Sequence, residues 1–433
     1  MNMMIFDKIK SQLAQKEKKN IINNFFSLTA LQLSNYIIPL LVLPYLARVL
    51  GPEKFGLTAF AQAFVFYFIL ITDFGFNLSA TREISINRDS KENISKIFSA
   101  VMIIKTFLLL VSFIILMLLV YFVHKFSTDW NLYLLTFLSV IGSVLFPQWF
   151  YQGIEKMKFI TIITIGTRVI FTVFILLFVK KTSDYLLYSF LNSAGFLISG
   201  LIGFIVSFSL FKVKFRFLLF SEIRFHFSQG WHIFLSTISI SLYTTSNSVL
   251  LGFFTNYSIV GYYTVAEKLF KVFQFMGMPF FQAFFPHFSK LYHENKTRAI
   301  DSFNKIFKLT ILFSSILALM LFFLASPLLI LVFGCKYENS VYVFSMLSFI
   351  LIPGLGNYML GIQGMINFGY QEALSKIIII FGLFHIVLVS LAIILWGINA
   401  VPFVWFMTEG LIFMSEYYYL KKRNFIYSFL KLG

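Results

Sequence analysis

The chain reads as long apolar runs separated by short polar breaks. A helix that crosses a bilayer needs about 20 mostly apolar residues. Twelve runs reach that length: 22–48, 55–78, 95–122, 130–151, 159–179, 185–209, 231–254, 258–286, 304–326, 339–362, 373–396 and 400–420. The breaks carry turn residues or charge, as in Gly51-Pro52-Glu53-Lys54 and Lys180-Lys181-Thr182-Ser183-Asp184. The pattern predicts an all-α polytopic membrane protein of about twelve transmembrane helices.

The placement of Lys and Arg tests that count. Taken in alternate breaks, one set holds twenty-three cations, from the N-terminal tail, the 79–97, 210–230 and 287–305 loops, Lys156, Lys158 and the C-terminal tail. The other set holds five: Lys54, Lys125, Lys180, Lys181 and Lys336. Cytoplasmic loops carry the excess of positive charge, so both termini are expected in the cytoplasm. The basic first twenty residues lack a cleavable signal core and read as a short interfacial helix through Phe6, Ile9 and Leu13.

Composition narrows the class further. Hydrophobic residues make up 59% and charged residues 12% of the 433, about half the usual charged fraction. That excludes soluble enzymes, nucleic-acid modules and secreted disulfide scaffolds. The net charge of +17 sits mostly between apolar runs, so the membrane accounts for it and no nucleic acid is expected. The six His have no metal-ligand spacing, and the single Cys335 forms no internal disulfide, so no metal or cofactor is expected.

The long basic loop after the sixth run divides the chain. Residues 1–209 are expected to form an N-terminal six-helix lobe with a cytoplasmic tail at 1–21. Residues 210–230 form a linker, 231–420 a second six-helix lobe, and 421–433 a basic tail. The halves echo each other: Leu50-Gly51 followed by Phe55-Gly56 joins runs one and two, and Leu251-Gly252 followed by Val260-Gly261 joins runs seven and eight. Equal topology in the two halves implies parallel repeats, an arrangement of transporters that alternate access to a central site. Such pairs are also common in membrane loops, which is the plainer explanation.

Several segments resemble a known family. They are Asn35-Tyr36, Pro39-Leu40-Leu41, Pro44 through Gly51, Phe55-Gly56, Asp73 through Arg82, and Tyr263 through Leu269 with Pro286 through Ser289. Together they resemble Wzx-type O-antigen flippases, in the polysaccharide-transport branch of the multidrug/oligosaccharidyl-lipid/polysaccharide exporter superfamily. The resemblance implies two pseudo-symmetric six-helix bundles around a central cavity. It implies movement of undecaprenyl-pyrophosphate-linked oligosaccharide from the cytoplasmic to the periplasmic leaflet of a bacterial inner membrane, by a monomer that works beside the O-antigen polymerase and chain-length machinery. Two alternatives remain: a cation-coupled multidrug exporter of the same superfamily, and an O-antigen polymerase. The intramembrane charges are mainly basic, which disfavours the first, and no outside loop is long enough to carry the catalysis of the second.

A pyrophosphate crossing hydrocarbon needs fixed cations and donors. Arg168 lies near the middle of run five, and Lys268 and Lys271 lie inside run eight. These three, with Arg48 at the outer end of run one and Lys105 in run three, are the candidate cationic lining. For Arg168 the competing reading is a structural ion pair; for Arg48 it is a snorkelling interfacial residue. Glu267 lies one turn before Lys271 and pairs with it on either reading. Glu267 and Asp73 are the candidate coupling acids, with Arg82 the expected partner of Asp73. Asn35, Thr244, Ser246 and Asn247 are the candidate polar lining, since a hydroxyl-rich helix faces protein or water rather than lipid. Pro39, Pro44, Pro279 and Pro286 are expected to permit bends. Glu409 and Glu416 are read as helix-packing partners.

Overall fold

The computed structural model describes residues 2–277, 281, 288, 291, 292 and 294–426. The side chains of 2–23, 25, 26, 28, 35–37, 236, 239, 242, 243 and 276 fall outside that description. Among the described residues all regular structure is helical. The helix α1 (Asn2–Asp73) carries the first two apolar runs. It continues through Pro39 and Pro44 and breaks helical geometry at Gly51, where φ is 71°. Glycine alone adopts that backbone without strain. Pro279 and Pro286 lie outside the described residues.

There follow α2 (Phe76–Ile86), α3 (Lys91–Phe122), α4 (His124–Ser127), α5 (Trp130–Leu145), α6 (Gln148–Gly153), α7 (Met157–Phe178) and α8 (Tyr185–Ser209). The later half contains α9 (Phe220–Phe254), α10 (Tyr257–Met276), α11 (Lys296–Phe323), α12 (Ala325–Phe333), α13 (Ser340–Ser348) and α14 (Leu351–Asn357). A π-helix (Tyr358–Ile366), α15 (Gln371–Trp396) and α16 (Ala400–Lys422) complete it. Among the described residues, seven helical stretches are long and apolar enough to cross a membrane, eight with the α13–α14 pair, which is bent by 43°. Two of the seven, Thr29–Ile86 and Gln371–Lys422, each cover two of the expected spans. With α9 and α10 on runs seven and eight, the helices follow the twelve-run pattern.

Two ends differ from the sequence expectation. The second span stops at Asp73 rather than residue 78, because Phe74 (φ 47°) and Gly75 (φ 77°) turn the chain through left-handed geometry. The seventh helix begins at Phe220 rather than 231, its start fixed by Glu222 Oε2, which accepts the Leu219 N–H at 2.9 Å. The residues before it are not helical. They are pinned along α3, with Lys214 N–H donating to Ser95 Oγ at 3.2 Å and Arg216 N–H to Ser99 Oγ at 2.8 Å. Serines one helical turn apart, about 5.4 Å along the axis, match two residues of extended chain at about 3.3 Å each.

The contacts divide the chain into two compact units. The first comprises Met1–Val42 and Phe64–Thr237, the second Leu43–Ala63 and Ile238–Gly433. The bend at Gly51 therefore falls inside the second unit. The first unit's core centres on Phe98, Trp149, Phe150 and Tyr151, and the second unit's on Phe303, Phe307, Met359 and Leu360, all buried.

Candidate functional site

In the first unit, the turn after α1 sets the geometry around Asp73. A Cβ at Gly75 would come within 2.8 Å of Ile233, and one at Gly230 within 2.6 Å of the Phe74 carbonyl oxygen. Glycine at both positions lets the turn close on α9, where Phe74 stacks on Phe227 and Phe234 at centroid distances of 4.4 and 4.9 Å. Asp73 Oδ1 accepts from Asn77 Nδ2 at 2.9 Å and faces Lys105 Nζ at 3.6 Å. Lys105 also donates to the Ser143 carbonyl at 3.4 Å. The ion-pair partner of Asp73 is thus Lys105, not Arg82, which corrects the sequence reading. Lys105 is 1% exposed, so this cation is spent inside the unit.

Arg168 lies on α7, partly buried, in a pocket of about 60 Å³. Thr164, Thr167, Thr172, Asn192 and Ser199 supply its polar lining. That volume has room for a few waters around the guanidinium. Asn35 lies on α1 with its side chain outside the described residues. Nearby on that helix, Ser27 offers its carbonyl to Thr161 Oγ1 at 2.8 Å.

In the second unit, Arg48 Nη2 donates to the carbonyls of Leu331 and Val332, at 2.6 and 2.9 Å. These are among the last carbonyls of α12, which have no partner within the helix. Arg48, an exposed residue, therefore acts as a helix-end clamp. On α10, Glu267 Oε1 accepts from Lys271 Nζ at 2.7 Å, as the i,i+4 spacing predicts. Glu267 is buried and Lys271 partly buried. Lys268, between them in sequence, is exposed. The expected polar lining of α9 splits: Thr244 is partly exposed and bonds back to the Ile240 carbonyl, whereas Ser246 and Asn247 are buried.

The two echoing segments meet in this unit. A Cβ at Gly56 would fall 1.8 Å from the Tyr257 carbonyl oxygen, and one at Gly261 would fall 2.2 Å from that of Pro52. Each segment's glycine accepts the other's backbone, so the repeated motif is a helix-crossing device. Close helix approach through small residues is a general feature of membrane bundles.

Sequence reasoning missed two features, the surroundings of His385 and a cavity in the first unit, while the structure adds the partners of Glu409. Within the second unit, His385 joins Asn247 and Thr408 across three helices. Glu409 accepts from Asn357 Nδ2 at 2.6 Å and Trp405 Nε1 at 3.3 Å, while Glu416 Oε2 has no hydrogen-bond partner among the described residues. Within the first unit, a cavity of about 380 Å³ is lined by Glu83, Asn87, Asn93, Lys96, Glu222 and His226. Its size is that of a small-molecule site. Burial holds His226 below the usual imidazole range, with Glu83 and Glu222 pulling the other way. The available signal was the pair of i,i+4 spacings, Glu83 with Asn87 and Glu222 with His226, each placing two polar groups on one helical face.

Comparison with known proteins places this arrangement. The sequence profile of the family described as "Polysaccharide biosynthesis protein" matches residues 21–292. A protein of Escherichia coli (strain K12) named "Putative O-antigen transporter" is 31% identical over 373 residues, covering 86% of this chain and 90% of that protein. A protein of the same name from Shigella dysenteriae is 33% identical over 275 residues, covering 63% and 68%. Among solved structures, the lipid II flippase MurJ in an inward closed conformation superposes with a TM-score of 0.72 at 15% identity, over 93% of this chain and 89% of MurJ. An inward-facing MATE multidrug transporter of the MOP superfamily gives 0.67 at 13% identity, over 92% and 98%. The chain belongs to the polysaccharide biosynthesis protein family and has the all-helical fold shared by MurJ and the MATE transporters.

Proposed function

We propose that this protein is a flippase for lipid-linked oligosaccharide. It takes an O-antigen or related repeat unit, carried on undecaprenyl pyrophosphate, from the cytoplasmic to the periplasmic leaflet by alternating access. The observation that carries this reading is the match, along 86% of the chain, to a protein named "Putative O-antigen transporter", on the fold of a lipid II flippase. The protein makes and breaks no covalent bond. The polyprenyl tail stays in lipid, and the work lies in desolvating the pyrophosphate and the sugar.

The geometry supports a division of labour. The Glu267–Lys271 pair at 2.7 Å keeps two charges satisfied within an apolar helix, and exposed Lys268 beside it is available to an anion. A pyrophosphate that engages Lys268 and Lys271 competes with Glu267, which frees the carboxylate to take a proton. Release of the substrate outside restores the pair. The 380 Å³ cavity offers carboxylate, amide and imidazole groups, the chemistry that hydrogen-bonds sugar hydroxyls, and we assign it to the oligosaccharide on the cytoplasmic side. A multidrug exporter is the second reading, favoured by the MATE fold and opposed by the basic character of α10.

Deletion of the gene tests the reading. Lipid-linked oligosaccharide should accumulate shielded from a membrane-impermeant probe added outside, and surface polysaccharide should disappear. Normal surface polysaccharide in the deletion strain, with heightened sensitivity to cationic drugs, would favour the exporter.

A further inference from the structure

His385 lies on α15 and is fully buried, as are its three polar neighbours: Asn247 on α9, Tyr263 on α10 and Thr408 on α16. Its Nε2 is 3.0 Å from Asn247 Oδ1, and its Nδ1 is 2.9 Å from Thr408 Oγ1. Asn247 Nδ2 in turn donates to the Tyr263 hydroxyl at 3.1 Å. That bond orients the amide, so its oxygen faces the imidazole and accepts from an Nε2 proton. The Thr408 hydroxyl lies 2.9 Å from the Val404 carbonyl as well as 2.9 Å from the imidazole. It can therefore donate to either.

Donor counting gives two complete arrangements. With a neutral ring, Nε2–H donates to Asn247 and the Thr408 hydroxyl donates to Nδ1. With a proton added at Nδ1, that N–H donates to Thr408 Oγ1, and the Thr408 proton swings to the Val404 carbonyl. Both ring nitrogens and the Thr408 hydroxyl have a partner in each, and the two differ by one proton from water and one hydroxyl rotation. An unsatisfied buried polar group is costly, and this cage avoids that cost in either charge state. Back-bonding of a Thr hydroxyl to the carbonyl four residues earlier recurs along these helices, as at Thr136, Thr167 and Thr310; what sets Thr408 apart is that its hydroxyl also meets a buried imidazole nitrogen.

We propose that His385, seated among Asn247, Tyr263 and Thr408, is a proton-binding site that ties α9, α10, α15 and α16 together differently in its two charge states. The titratable and charged groups around it come from each neighbouring helix. From α10 they are Tyr263 itself and, one turn on, Glu267, with Lys268 and Lys271 beyond it. From α16 they are Glu409 and Glu416; Glu409 is held by Asn357 and Trp405. The π-helix packed on α15 contributes Tyr358, and α15 itself carries Glu372 and Lys376 in its first turns. The chain from His385 through Asn247 and Tyr263 runs toward Glu267, one turn along α10. This proposal rests on the transport reading for its purpose: a proton bound here would be the species that times substrate release.

The test is substrate-free. Full-length protein with ¹⁵N-labelled histidine in lipid nanodiscs has six His signals, and His385 is assigned as the one lost in His385→Asn. Both ring nitrogens should move to imidazolium shifts as pH falls from 8 to 3. In Thr408→Val the proton should bind about fivefold more weakly, a midpoint lower by roughly 0.7 of a pH unit, and Thr408→Ser should restore the wild-type midpoint. A ring that stays neutral throughout, or a Thr408→Val midpoint equal to wild type, overturns the proposal. Wild-type protein that moves no lipid-linked oligosaccharide would sink the transport reading and leave the titration intact, so the two failures are distinguishable.

Discussion

The Asp73–Lys105 pair gives the sharpest quantitative prediction. Its atoms lie 3.6 Å apart, with the lysine side chain 2% and the aspartate side chain 22% exposed. At an effective dielectric of about 20, the gross attraction is roughly 5 kcal/mol. Desolvation of both charges offsets most of that, so the pair as a whole adds little. Removing one partner is different, because it strands the other charge among apolar helices at a cost of about 3–5 kcal/mol. Lys105→Met and Asp73→Asn should therefore each destabilise strongly, while Lys105→Met with Asp73→Asn should return to within about 2 kcal/mol of wild type. The assay is the melting temperature of detergent-solubilised protein by fluorescence-detected size exclusion, completed as a double-mutant cycle. Additive losses would refute the reasoning, since independent sites show no rescue.

Other consequences follow from the same geometry. Gly56→Ala and Gly261→Ala each place a methyl inside a backbone carbonyl's radius; each should cost more than about 2 kcal/mol, read as loss of folded protein and of surface polysaccharide, whereas Gly410→Ala, with open space around it, should be silent. Arg168→Ala should leave protein level unchanged and abolish surface polysaccharide, as expected of a cation that serves the substrate; wild-type polysaccharide would restrict Arg168 to its small pocket. At the loop before α8, Asp184 accepts the N–H groups of Lys180 and Lys181 at 2.9 Å each, and these bonds hold its carboxyl below the usual range. The loop's order should thus be complete above about pH 3.9 and fade as pH falls below it. Protease accessibility at Lys181 should rise on acidification in wild type and be high at every pH in Asp184→Ala.

The helices were legible in the sequence because apolar length and charge asymmetry are strong signals in lipid, where every backbone group must be satisfied within a helix. Their ends were less so. Nothing in the local pattern says that Phe74 takes a positive φ, since that depends on stacking with Phe227 and Phe234, more than 150 residues away. Glu267 and Lys271 were found because four residues make one turn. Asp73 was given the wrong partner because Lys105 is distant in sequence and near in space. His385 drew no notice as a lone histidine in an apolar run. Its meaning arises only when Asn247 and Thr408 are brought to its two nitrogens. The echoing glycines were visible as a repeat, and the structure adds that each copy accommodates the other's backbone.

The central claim is that this chain moves a lipid-linked oligosaccharide across a bilayer, with the anion handled by α10. The direct measurement is reconstitution of the purified protein into vesicles that carry a polyprenyl-pyrophosphate oligosaccharide in both leaflets. The fraction oxidised by an impermeant galactose oxidase is then followed over time. Protein-free vesicles should stop at about half, the share of one leaflet, and wild-type vesicles should proceed to near completion. The Lys268→Ala, Lys271→Ala double variant should stop with the protein-free control. Wild-type protein, folded and incorporated, that never exceeds the protein-free plateau would contradict the account.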